Sequence, residues 1–422
     1  MSTPARERLA RANLDFNEAH PGESGQRQPV HTVYGGANLF KFDTCRKLST
    51  LAQKSFQDYA PDADTLTAVL GIPAAVAEKV HGRVAEKLHR EAIEDFRIDF
   101  EDGYGIRPDA VEDADATSAA NETARAMKEG MLPPFFGFRV KPLSEELHSR
   151  SLRTLRRFLS VLLEQSGGEL PHNFVVTLPK ITVPEQVEAI IASLEPYPKV
   201  SVEIMAETPQ TIFILPKLVE LCEGRCVGVH FGPYDYTSSL SITSAYQSLR
   251  HPACDFARSM MQISLAGTGI WLSDGPTTTM PIPPHRGSPT TDQQWAENCE
   301  VVHRAWKLHY SNVRHALGNG FYQGWDLHPA QLPMRYAALY SFFLEGLDSA
   351  SERLRNFVDK AAQATRIGDV FDDAATGQGL LNYFLRAMSC GALTESEVPS
   401  LTGLTVEQLR TASFTKILKS LI

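Results

Sequence analysis

The stretch Val200–Thr237, VSVEIMAETPQTIFILPKLVELCEGRCVGVHFGPYDYT, decides how this chain is read. An apolar run, Val200–Ala206, ends on Glu207. A helical segment follows from Pro209 to about Leu221, and a second apolar run, Cys226–Phe231, ends in Gly232-Pro233-Tyr234-Asp235. The order is strand, acid, helix, strand, acid. In a parallel sheet that order puts both carboxylates at the C-terminal ends of neighbouring strands. Taken singly, Glu207 or Asp235 reads equally well as a helix cap or a solvated loop acid. As a pair, each behind an apolar strand, they read as hard oxygen ligands for Mg²⁺, which takes one or two carboxylates and leaves other positions to water and substrate.

The same alternation extends outward in both directions. Strand-like runs occur at His31–Gly36, Phe96–Asp102, Phe135–Val140 and Asn173–Lys180 upstream, and at Gly269–Asp274 and Phe321–Leu327 downstream. Helical stretches separate them, including a long one from about Phe42 to Arg90 that breaks near Pro61 and at Gly71-Ile72-Pro73. Strands alternating with helices predict an α/β fold, a (β/α)₈ TIM barrel, closed here by eight strands. A doubly wound open sheet would need a glycine-rich phosphate fingerprint or a switch-point crevice, and no GxGxxG or Walker sequence is present. The expected organisation is a flexible N-terminal arm over 1–28, a barrel over 29–330, and a C-terminal cap over 331–422 that reads as helical only. Barrel active sites lie at the C-terminal ends of the strands. The residues expected there are Glu101 and Asp102, Arg139 and Lys141, Lys180, Glu207, Asp235, Asp274, and Asp326 with His328. Acids beside bases suit a metal with cationic groups that hold an anionic substrate.

Composition sets limits on function. The 422 residues are 43% hydrophobic, enough for a sizeable core, and carry a formal net charge of −9. That charge offers no broad basic surface for nucleic acid. No apolar run approaches the roughly 20 residues that span a bilayer, and the polar N-terminus has no signal-like segment, so a cytoplasmic location without membrane contact is expected. Six scattered cysteines suggest no disulfide framework. Cys222 and Cys226 lack a second pair at zinc-finger spacing and read as buried thiols.

Six short sequences occur in an order that resembles the superfamily of citrate lyase β-subunits, malate synthases and HpcH/HpaI aldolases. They are DFED at Asp99–Asp102, FRV at Phe138–Val140, LPK at Leu178–Lys180, AETP at Ala206–Pro209, GPYDY at Gly232–Tyr236, and LHPAQL at Leu327–Leu332. AETP with GPYDYTSS, and FDDAAT at Phe371–Thr376, look closest to malate synthase.

The resemblance implies a Mg²⁺-dependent carbon–carbon lyase or synthase, with condensation of acetyl-CoA and glyoxylate foremost. Cleavage of a malyl-CoA or citramalyl-CoA type thioester, or a CoA-independent aldolase, are the alternatives within it. A non-catalytic metal-binding regulatory barrel is the alternative of another class. Carried over by position, Glu207 and Asp235 would bind Mg²⁺, Arg139 would face the 2-oxo group, and Asp373 would be the base. Glu101 and Asp102 would hold metal-bound waters or Arg139. Lys180 and the Gly232-Pro233-Tyr234 turn would support the site or touch substrate. The implied partners are small molecules, a 2-oxo acid and a CoA thioester; a homo-oligomer is left open.

Overall fold

The computed structural model describes residues 3–22, 25–287, 290–359, 365–367, 370–372, 374–411, 413 and 416–417. Eight strands close into a barrel in sequence order. They are β1 (His31–Gly36), β2 (Asp95–Asp99), β3 (Phe135–Arg139), β4 (Phe174–Leu178), β5 (Ser201–Ala206), β6 (Cys226–Phe231), β7 (Trp271–Pro276) and β8 (Gln323–Asp326). Pairing is parallel, and β1 meets β8 to close the ring, with Thr32 opposite Trp325. This is the expected TIM barrel. β7 starts two residues later than expected, because Gly269 sits at φ +77°, a left-handed position that an extended strand cannot include.

The expected breaks in the first long helical region are real. Helices run Thr44–Tyr59, Ala63–Leu70 and Ala74–Glu91. Asp62 caps the second by accepting from the Thr65 N–H at 2.8 Å. Gly71, at φ +73°, ends it.

Two expectations change. Thr3–Ala19 lies in the segment read as a loose arm, yet it is a helix. Its Ala, Arg, Glu and Leu content favours that state. The C-terminal region is not helical only. Thr365–Ile367 and Val370–Asp372 pair as a two-stranded antiparallel sheet, and each short run carries β-branched residues that suit a strand.

The chain clusters into two compact units. One comprises Pro29–Met261 with Leu272–Phe342, the barrel with its helices. The other comprises Met1–Gln28, Gln262–Trp271 and Phe343–Ile422. Within the second, Arg386 Nη1 donates to Gln28 Oε1 at 2.6 Å. No helix among the described residues is long and apolar enough to cross a membrane.

Alternation along β2 sorts the barrel into two environments. Phe96 and Ile98 are fully buried and pack with Phe136 and Phe138 of β3 under the helices, where Phe138 meets Phe158 of helix His148–Ser166 at 4.4 Å. Each such ring contributes about 1.5–3 kcal/mol by burial. Asp95, Arg97 and Asp99 alternate with them and point into the barrel. There Arg97 pairs with Asp95 and reaches Glu203 of β5 at 3.0 Å. His230 Nε2 of β6 lies 2.9 Å from the same Glu203 carboxylate, and Thr177 of β4 donates to it at 2.8 Å. Burial opposes the Glu203 charge, but His230 and Arg97 outweigh it and hold its carboxyl well below the usual range. Removing one partner of such a group strands the others. We expect Glu203→Ala to lower stability by about 3–5 kcal/mol in urea denaturation. A loss under about 1 kcal/mol would mean the network does not hold the barrel together.

Candidate active site

The rim above this network is built from β2, β3, β4, β5 and the start of the helix after β6. At its base Asp99 grips Arg139. Arg139 Nε donates to Oδ1 at 2.8 Å and Nη2 to Oδ2 at 2.6 Å. The same carboxylate accepts the N–H groups of Glu101 at 3.0 Å and Gly103 at 2.7 Å, so it also shapes the turn after β2. Asp99 has no expected role from sequence beyond membership of DFED. Its signal was the apolar–charged alternation of Asp95–Asp99, period two, with the charges on the barrel's inner face.

The fork of the Arg139 guanidinium is therefore occupied by Asp99. The remaining terminal nitrogen, Nη1, lies 3.0 Å from Glu101 Oε2 and 3.6 Å from Met205 Sδ. The guanidinium also stacks near the Tyr34 and Trp325 rings, at 4.9 and 5.4 Å. Burial opposes its charge, but the Asp99 carboxylate outweighs this and keeps the arginine ionised.

Lys180 joins the acids. Its ammonium contacts Glu101 Oε1, lies 3.1 Å from Asp102 Oδ2, and is 3.6 Å from Asp235 Oδ2. Its backbone N–H donates to Glu207 Oε1 at 2.6 Å. Glu101, Asp102, Lys180, Glu207 and Asp235 thus form one connected group, reached from Arg139 through Glu101. All belong to the barrel unit.

Glu207 is 2% exposed. Gly232 leaves it room: a Cβ there would meet Glu207 Cβ at 2.4 Å and Oε2 at 2.6 Å. Pro233 begins the short helix Pro233–Ser239, which carries Asp235 in its first turn. Tyr234 fixes that helix by donating to the Pro276 carbonyl at 2.8 Å.

Burial pushes the Glu207 carboxyl up to about 8; Lys180 works against this, and the Asp235 and Glu101 charges add to it. Burial likewise raises Glu101, partly offset by Arg139. Burial opposes the Asp102 charge as well, but the hydrogen bond to Glu101 and the Lys180 charge outweigh it and lower its carboxyl.

Other expected rim residues serve structure. Asp274 pairs with Arg258 at 2.9 Å. Asp326 accepts both arms of Arg335, at 2.7 and 2.8 Å, and faces His309 at 3.0 Å. His328 Nδ1 accepts from the Ala330 N–H at 3.2 Å and caps a short helical turn. Lys141 donates to the carbonyls of Phe100 and Gly105. Asp373 lies outside the described residues.

The donor set fits a divalent cation. Glu101, Asp102 and Asp235 surround the Lys180 ammonium and Glu207 accepts its backbone N–H, while Arg139 pairs with Asp99 and reaches Glu101. Among the described residues no three His, Cys, Asp or Glu groups form a closed metal cage. Mg²⁺ does not require one, since two carboxylates with water and substrate suffice.

A family profile described as a domain of unknown function, DUF6986, matches residues 9–417. The chain belongs to that family. No curated protein matches it. Two solved structures share the fold. A citrate lyase from Burkholderia xenovorans LB400 is 17% identical, with a TM-score of 0.57 over 94% of this chain and 99% of that one. CitE from Mycobacterium tuberculosis, in complex with magnesium, acetoacetate and coenzyme A, is 15% identical, with a TM-score of 0.50 over 86% of this chain and 99% of that one.

A raised Glu207 has a measurable consequence. Below about pH 8 its carboxyl is expected to hold a proton, which a metal bound there would displace. Divalent affinity should rise with pH and level off above about 8, and Mn²⁺ binding at pH 7 should release about one proton. Calorimetry in two buffers of different ionisation heat measures this. Binding with no proton release would show that Glu207 is not a ligand or is already ionised.

Proposed function

We propose that this protein is a Mg²⁺-dependent carbon–carbon lyase or synthase, and that its reaction is the condensation of acetyl-CoA with glyoxylate. The observation that carries this is the convergence of Glu207 and Asp235 on Lys180, beside Arg139, at the C-terminal rim of the barrel. Binding of magnesium, acetoacetate and coenzyme A by a protein of the same fold supports a metal and a CoA thioester here.

Glu207 and Asp235 would hold the metal, with Glu101 and Asp102 beside them on Lys180. Mg²⁺, when bound, supplies Lewis acidity and a template for the carboxylate and carbonyl oxygens of a 2-oxo acid. Arg139, held by Asp99, offers Nη1 to the oxygen that gains charge as the carbonyl is attacked. The thioester methyl must lose a proton, and Asp373 takes it. That assignment rests on the FDDAAT sequence. Cleavage of a malyl-CoA type thioester uses the same groups in reverse, and the citrate lyase among the structural neighbours favours it as the second reading.

The test is the purified protein with Mg²⁺, given acetyl-CoA and glyoxylate, or malyl-CoA alone. Free CoA from the first mixture, released when water hydrolyses the thioester of the condensation product, is the expected result. Acetyl-CoA and glyoxylate from the second, without free CoA from the first, would establish the lyase. Turnover of neither would exclude both readings. Asp373→Asn should lower turnover by roughly 10²-fold or more and abolish exchange of the acetyl-CoA methyl protons with deuterated solvent. Turnover within a few-fold of the parent would put the base elsewhere.

A further inference from the structure

Lys180 has an unusual position for a lysine. It follows β4 at φ +50°, in the left-handed region that a side chain rarely adopts. That backbone does two things at once. It aims the N–H at Glu207 Oε1, 2.6 Å away, and it sends the side chain across the rim to the other acids. An ammonium has three N–H donors, and three carboxylates surround this one: Glu101, Asp102 and Asp235. The side chain is 26% exposed. A solvent-facing lysine gains little from such an arrangement. A lysine at the centre of an acid cluster carries its counter-charge.

The geometry points to Lys180 as a tethered cation that holds the carboxylate cluster and that an incoming divalent ion must displace from Asp235. This deepens the proposed function and rests on its metal reading. Glu207 and Asp235 meet the same residue, one through its backbone and one through its ammonium. Asp235 Oδ2 lies 3.6 Å from Nζ, so a cation held by that carboxylate would be repelled by the ammonium. Lys180 therefore sets the threshold for metal. It keeps the acids from repelling one another until the ion arrives, and it weakens binding by its own charge. A monovalent ion brings no more charge than the ammonium, so the arrangement favours a doubly charged ion over sodium or potassium.

Mn²⁺ binding, read by electron paramagnetic resonance of the free ion, tests this without turnover. Lys180→Met should bind Mn²⁺ on the order of tenfold more tightly than the parent, because a unit charge a few ångströms from the ion is removed. Lys180→Arg, which keeps the charge, should stay near the parent. Lys180→Gln keeps much of the length and a donor and should follow Lys180→Met, which covers a folding failure of the methionine variant; circular dichroism checks both. Unchanged or weaker Mn²⁺ binding in the folded neutral variants would overturn the inference and leave Lys180 a buttress. Glu207→Gln separates this from failure of the metal reading. If the parent binds Mn²⁺ through Glu207 and the neutral variants do not tighten it, only the role of Lys180 falls. If the parent shows no Glu207-dependent binding, both fall.

Discussion

The fork between Asp99 and Arg139 is the contact on which the rim depends. Asp99 is the last residue of β2 and Arg139 the last of β3, directly opposite in register. Both are buried, so removing either would leave its partner short of a buried counter-charge. The same carboxylate draws in the N–H groups of Glu101 and Gly103 and so sets the turn that presents Glu101. Glu101 then links Arg139 to Lys180, and Lys180 links Glu207 to Asp235. One buried ion pair thereby fixes the direction of a chain of charges that extends to half-exposed Asp235. Below it, the Arg97–Glu203 pair ties β2 to β5 across the interior and keeps the two sides of the barrel in register.

Much of this was legible in the sequence, and what was not has a physical reason. Apolar runs punctuated by Gly, Pro and acids mark each strand end, because strand length and the turn after it are local properties. The adjacency of Glu207 and Asp235 followed from order alone, since neighbouring parallel strands share an edge. Partnership was not legible. Whether Asp274 faces a ligand or Arg258, and whether Asp326 faces substrate or Arg335, depends on how the neighbouring helices pack against the strands. The occupied fork of Arg139 is of the same kind, because its partner lies forty residues away. Lys180 was visible as a cation at a strand end and as part of an LPK sequence. Its place among the acids needs three separate turns to converge. Asp95 and Arg97 could have been assigned to the interior from the β2 alternation, a signal that the acidic end of that strand obscured.

The chemistry follows from an imbalance. The rim collects more carboxylates than its cations neutralise, and it does so where solvent is partly excluded. Such a cluster is stable only with counter-charge. Lys180 supplies one unit and a divalent ion would supply more; burial, with the Asp235 and Glu101 charges adding to it, raises the Glu207 carboxyl to about 8. A fixed arginine next to that ion is suited to an anionic oxo acid.

The most direct test of this account is anomalous diffraction from crystals grown with Mn²⁺. The account predicts one strong anomalous peak at the C-terminal rim of the barrel, about 2.0–2.3 Å from carboxylate oxygens of both Glu207 and Asp235. A well-ordered crystal soaked to saturation that shows no peak between those two residues, or a peak ligated by other groups, would contradict it.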